Sequence, residues 1–345
     1  MEFTIPPYEV VDVVESLNDA KAEHVGWQIR SWQAQKIHDE FGITGKGVFV
    51  GVGDTGVSRA HLTGDLAGVA DQRSFVGDNN PFDRNGHGSH CLGIIGAKRN
   101  DNGMIGYAPD STLFSSKVLS DRGSGGDRGI ADGIDWMVDQ GCKIISLSLG
   151  SPSPSQTILG AIKRAHDAKV IVFAAAGNDG RSNDIDEPAN SGQCVPVGAL
   201  DSGLRLANFS DKGRALKDKG IVAGGVNVYS TVSRGYASYS GTSMATPGAA
   251  GQCALLIEAE IKFTGQQQTK SYKDFLEVVD DYHVDLGPTG ADASFGRGAF
   301  DVYKCVQELH DKAKPAPNPG EPTPDEWSTI HTSKPNQTTR LQVKK

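Results

Sequence analysis

Four short segments carry residue types that do acid–base and nucleophilic chemistry. Asp54 stands in Val52-Gly53-Asp54-Thr55-Gly56 and His87 in Asn85-Gly86-His87-Gly88-Ser89-His90. Asn178 follows Ala174-Ala175-Ala176-Gly177, and Ser243 lies in Gly241-Thr242-Ser243-Met244-Ala245-Thr246-Pro247. Each alone has a plainer reading. A strand-end Asp caps a turn, an Asn beside glycine tolerates a left-handed turn, and a Ser in a first helical turn caps it. His87 and His90 share a helix face and invite a metal reading, but no third ligand lies near and no Glu sits between them. His90 is therefore expected to be structural. Taken together, the four supply a nucleophile, a general base, a carboxylate to orient that base, and an amide donor for an oxyanion.

Such groups act only if the chain brings them together. The surrounding pattern predicts a parallel sheet. Strands are expected at 47–53, 113–119, 143–149, 169–176 and 195–200, with helices at 130–140 and 157–168 between them. Short apolar strands alternating with helices bury both sheet faces, giving an α/β three-layer sandwich with a central, mostly parallel sheet flanked by helices. Chemistry in such sheets collects at the carboxyl ends of strands, where Asp54 and Asn178 fall. The small residues from Gly241 to Gly251 run into Leu255 and Leu256 and read as a closely packed helix.

The segments DTG, NGHGSHC, AAAGN and GTSMATP, together with IGYAP at 105–109 and SLSLG at 146–150, resemble those of the subtilisin-like serine proteases, the subtilases. The likeness runs from about Trp27 to Tyr303. Ser89 replaces the family's usual Thr. The resemblance implies Asp54, His87 and Ser243 as the catalytic triad and Asn178 as oxyanion donor. It implies protein or peptide substrates, held as an added strand between Gly123-Ser124-Gly125 and Ser148-Leu149-Gly150. By the same similarity Asp179 falls at the rim, and Asp186 and Glu187 near the base, of the pocket for the residue before the cut, where three carboxylates would attract Lys or Arg; a solvated acidic loop is the other reading. It also implies structural calcium on the loop Lys98–Met104. The expected ligands are the Asn100 side chain, the backbone oxygens of Lys98, Asn102 and Met104, and the Asp65 carboxylate. Lys98 and Arg99 oppose a cation there.

The two ends of the chain differ from this body. Ile5-Pro6-Pro7-Tyr8 looks like the short Leu-Ile-Pro-Tyr-type prosegment of intracellular bacterial subtilisins, in which proline kinks the backbone across the active site. Residues 1–25 are accordingly expected to be an inhibitory prosegment, with a short helix at 11–22, and 26–312 the catalytic domain. Residues 313–345 carry six prolines and few large apolar residues and read as a flexible tail.

Composition excludes other classes. The 34 basic residues are outnumbered by 42 acidic ones, and a net charge of −8 argues against nucleic acid as partner. No apolar run reaches the ~18 residues of a membrane span. The N-terminus lacks the basic start and apolar middle of a secretory signal, and the five cysteines form no CxxC pair. The expected location is cytoplasmic, and no organic cofactor is expected. Monomer and homodimer are both left open. Gly51-Val52-Gly53-Asp54-Thr55-Gly56 imitates a dinucleotide fingerprint, but Asp54 would oppose a pyrophosphate. A catalytically silent subtilase acting as a scaffold or peptide-binding module is the other rival, and a fluorophosphonate label separates it from an active enzyme.

Overall fold

The computed structural model of the chain describes residues 1–14 and 23–314. The proline-rich segment from Pro315 onward and most of the helix expected at 11–22 lie outside these residues. Strands in chain order are β1 Glu2–Thr4, β2 Glu9–Val14, β3 Phe49–Asp54, β4 Val69–Ser74, β5 Thr112–Lys117, β6 Ser124–Gly126, β7 Ile144–Leu147, β8 Ile171–Ala175, β9 Val195–Leu200, β10 Ile221–Gly224, β11 Val228–Thr231, β12 Tyr236–Ser240, β13 His283–Val284 and β14 Ala299–Phe300. Helices are α1 Trp27–Ser31, α2 Ala34–Phe41, α3 His87–Gly96, α4 Asp127–Asp139, α5 Gln156–Asp167, α6 Arg214–Lys219, α7 Thr242–Thr264, α8 Tyr272–Asp281 and α9 Val302–Ala313. Among the described residues no helix is long and apolar enough to cross a membrane.

The central sheet has seven strands in the order β10-β9-β8-β7-β3-β5-β4, and every neighbouring pair is parallel. Successive side chains point to opposite faces. Val50, Val52, Ile144, Ile171 and Phe173 therefore enter one core, beneath α3 and α7, while Ile145, Leu147, Val172 and Ala174 enter the other, beneath α4 and α5. These are the three layers the sequence predicts. Glycine in β3 sets the spacing of one layer: a Cβ at Gly51 would run into Met137 of α4. The long helix α7 is buried on almost every side from Thr242 to Ile257, as its run of Ala and Gly allows.

One local expectation is corrected. Positions 11–14 are strand, not helix: β2 pairs antiparallel with β12, from Glu9↔Ser240 to Val14↔Tyr236, with a bulge at Ser238/Tyr239. Its sequence, Glu-Val-Val-Asp-Val-Val, is rich in β-branched residues, and the β12 edge supplies the partner that makes the extended form pay no unpaired backbone.

Candidate active site

Asp54 closes β3 and His87 opens α3. The His87 Nδ1 atom lies 2.9 Å from Asp54 Oδ1 and 3.0 Å from Oδ2, and both side chains are buried. The Thr55 N–H donates to Asp54 Oδ1 at 2.7 Å. Asp83 then fixes the turn before His87. Its Oδ1 accepts from Thr55 Oγ1, Asn85 N–H and Gly86 N–H at 3.0, 2.9 and 2.8 Å; its Oδ2 accepts from Ser89 N–H and Oγ at 2.9 and 2.6 Å. A carboxylate at this end of α3 also suits the helix dipole.

Ser243 is the second residue of α7. Five residues from the start of that helix stands Pro247, which has no N–H to give to the carbonyl four residues earlier, that of Ser243. The orphaned carbonyl accepts instead from Ser148 Oγ at 2.9 Å and from the Cys91 thiol at 3.5 Å. The same Cys91 sulfur is 3.7 Å from Asp54 Oδ2 and 3.9 Å from His87 Nδ1, so one buried side chain touches all three segments. Burial, and then Asp54, push its pKa well above that of a free thiol, so it offers no competing thiolate. His87 Nε2 and Ser243 Oγ are both buried and have no hydrogen-bond partner.

Asn178 follows β8. Its Oδ1 accepts from Thr242 N–H at 2.8 Å and Thr242 Oγ1 at 2.7 Å, which fixes the amide with its Nδ2 turned away from Thr242 as a donor. Behind it lies Asp211, fully buried, which accepts from the N–H groups of Asp179 and Arg181 at 3.2 and 2.6 Å. Gly177 has φ +111°, and a Cβ there would collide with the carboxylates of Asp211 and Asp186.

The N-terminal segment lies through this site. β1 pairs antiparallel with β6, in the register Phe3↔Gly125 and Thr4↔Ser124. On its other side Thr4 N–H donates to Gly150 O at 3.0 Å and Gly150 N–H to Thr4 O at 2.8 Å, while Ile5 N–H donates to Gly123 O at 2.9 Å. Pro6 and Pro7 have no N–H and end the ladder. Beyond them Asn178 Nδ2 donates to the Pro7 carbonyl at 2.7 Å. The Tyr8 ring lies 5.1 Å from the His87 ring and 4.9 Å from Tyr239.

A model of the subtilase family matches residues 45–298. Subtilisin Savinase of Lederbergia lenta is 44% identical over 248 residues, covering 71% of this chain and 89% of its own length. The chain belongs to the subtilase family. The subtilisin of Bacillus pumilus is 35% identical over 292 residues, 83% of this chain and all of its own. An alkaline protease of Alkalihalobacillus alcalophilus is 44% identical over 71% of this chain, which spans only 63% of that relative's length. With these relatives and this site, the present subtilase is a serine endopeptidase.

The other residues singled out in this subtilase sort differently. Gly123, Ser124, Gly125 and Gly150 line the groove, and Ser148 anchors Ser243. Leu149 is buried in the core. The three carboxylates expected around the pocket before the cut have different surroundings. Asp186 lies against Gly150 but is paired with Arg181, whose guanidinium also holds Asp211 at 2.5 Å. Glu187 accepts from Ser191 Oγ at 2.6 Å, and Asp179 is exposed, 3.7 Å from Arg181. Buried carboxylates need such partners, and Arg181 already supplies the positive charge that a basic substrate residue was expected to bring.

At the loop expected to hold calcium, Asp65 Oδ1 accepts from Asn100 Nδ2 at 3.0 Å, and Asn100 Oδ1 accepts from Asn102 N–H at 3.1 Å. The Lys98 ammonium points to Asp110, 3.8 Å away. Glu23, which sequence reasoning missed, accepts from Asn100 N–H at 2.9 Å, and His24 bridges to Met104.

His90 is structural, as expected. Its Nε2 meets the carbonyls of Val228 and Ala237 at 3.0 and 3.1 Å, and its ring stacks on Tyr239. Burial pushes its pKa down to about 3. The unfolded chain protonates it at about 6.5, so acid favours unfolding. Its stabilising effect is intact above about pH 6.5 and erodes as the pH falls toward 3, by up to ~1.4 kcal/mol per unit. His38 and His61, also lowered by burial, add to the same window. Denaturant midpoints measured against pH are expected to drop there, and His90→Gln to flatten the slope.

Proposed function

We propose that this endopeptidase is made latent by its own N-terminal segment, and that Asp54, His87, Ser243 and Asn178 perform the cleavage once the segment leaves. The observation that carries the reading is the Pro7 carbonyl on Asn178 Nδ2: the protein's own chain occupies the place of a substrate carbonyl. Fluorophosphonate labelling of Ser243 tests it. The full chain should label slowly and accelerate as the segment is cut away; equal rates before and after would refute latency.

In this reading Ser243 Oγ attacks the peptide carbonyl while His87 Nε2 takes its proton. Asp54 accepts from Nδ1, holds the ring in the right tautomer and stabilises the imidazolium. Negative charge on the carbonyl oxygen is met by Asn178 Nδ2 and the Ser243 N–H, aided by the N-terminus of α7. Collapse breaks the C–N bond, and His87 returns the proton to the departing amine. Water then repeats the cycle on the acyl-enzyme, with His87 as base, and releases the acid.

For calcium, the residues present fit a cation. Asp65 Oδ2 is buried with no hydrogen-bond partner, although the Tyr236 phenol, its pKa raised by burial and then by Asp65, lies close. A buried carboxylate oxygen without a partner is costly, and Asp65 with the oxygens of Lys98, Asn100, Asn102 and Met104 would hold the ion there. The ion would stabilise rather than catalyse. At 100-fold over its Kd a ligand adds about 2.7 kcal/mol, or roughly 4–5 °C in Tm for a domain of this size. Chelation is expected to remove that increment from the full chain and to leave Asp65→Asn unchanged; an unaltered melting curve would count against the site. For location, the five thiols, all buried and unpaired, support a reducing cytoplasm.

A further inference from the structure

We propose that the cavity beyond the start of β12 is a subsite for acidic side chains of a polypeptide substrate, on the leaving-group side of the cut. The inference rests on the endopeptidase activity and on the path the N-terminal segment traces. That path leaves the Pro7 carbonyl at Asn178 and follows β12 antiparallel as far as Val14↔Tyr236. Two residues before Tyr236 in sequence stands Arg234, which with Arg59 and Arg84 lines a cavity of about 900 Å³. A peptide pairing with β12 by its main chain, at ~3.3 Å per residue, would reach this cavity about eight residues after the carbonyl at Asn178.

The cavity is strongly positive in a chain whose net charge is −8. All three arginines are exposed, and among the described residues none has a carboxylate partner. Arg59 stacks over Phe82, 4.6 Å from its centroid, which holds that guanidinium at the cavity wall. The acid in the lining, Asp83, is buried and has both oxygens committed to Thr55, Asn85, Gly86 and Ser89. Guanidinium groups match carboxylate geometry in a way that lysine point charges do not, and three of them line this one space. Strand pairing along β12 is indifferent to sequence, so this cavity adds selection that the groove lacks.

Binding tests it without relying on turnover. The full chain carrying Ser243→Ala is titrated with fluorescein-labelled hexaglutamate and, separately, hexaglutamine. Hexaglutamate is expected to bind at least about 10-fold more tightly, with the preference shrinking as salt rises. Arg84→Gln and Arg234→Gln should each weaken it and the double variant abolish the difference. In the active chain, kcat/KM for peptides bearing Glu rather than Gln eight residues past the cut should fall to the neutral value in that variant, with the neutral peptide unaffected. Equal affinity for the two probes, or full discrimination in the double variant, overturns the subsite. Binding that appears only after Glu15→Gln and Asp19→Asn would assign the cavity to this chain's own carboxylates and overturn its role toward substrate. Fluorophosphonate labelling of the active chain reports separately on the endopeptidase.

Discussion

Ser243→Ala is expected to lower kcat/KM by at least ~10⁴-fold and to abolish fluorophosphonate labelling, with little change in Tm. The hydroxyl makes no hydrogen bond that its loss would break. The backbone of Ser243 remains tied through its carbonyl to Ser148 and Cys91. Asp54→Asn should cost a comparable factor by a different route. An amide can present N–H where the carboxylate accepts, which turns the His87 ring to the wrong tautomer and takes the base away from the nucleophile. The pair therefore separates loss of the nucleophile from loss of its orientation. A chain that labels normally with alanine at position 243 would place the reactive group elsewhere, and a chain that never labels would favour the silent scaffold.

A chain beginning at Glu23 is expected to hydrolyse peptides about 10²–10³-fold faster than the full chain. To free the site, the segment must release its contacts there. Thr4, Ile5 and Pro7 together hold four hydrogen bonds in the site, each worth about 1 kcal/mol net, and Phe3 is fully buried. At 1.4 kcal/mol per tenfold, that corresponds to two to three powers of ten. Being tethered, the segment also competes at high effective concentration. The cut must spare Glu23, whose carboxylate holds the Asn100 and Asp101 amides; shortening beyond it should lower Tm. Comparable kcat/KM for both chains would show that the segment merely rests in the groove.

Much of this was legible from local pattern. The strands ending at Asp54 and near Asn178 announce themselves as apolar runs stopped by Gly and a polar residue, and the α7 nucleophile by a stretch of small residues. What the pattern misses is set by distant partners. Nothing around Val11 indicates that β12, more than two hundred residues away, offers it an edge. Arg181, which pairs with Asp186 five positions on, is itself held by the buried Asp211 thirty positions away. Glu23 meets Asn100 across 77 positions. In each case the deciding energy is a non-local hydrogen bond or ion pair, which leaves no spacing in the chain to read.

The exported carbonyl of Ser243 has a mechanical meaning. Ser148 is clamped to the nucleophile's own peptide unit, and two residues later Gly150 grips whatever chain fills the groove. The attacking atom and the rail that carries the peptide are thereby parts of one rigid jig. Flexing of the first helical turn shifts both together, and the alignment between them is preserved while the rest of the molecule breathes.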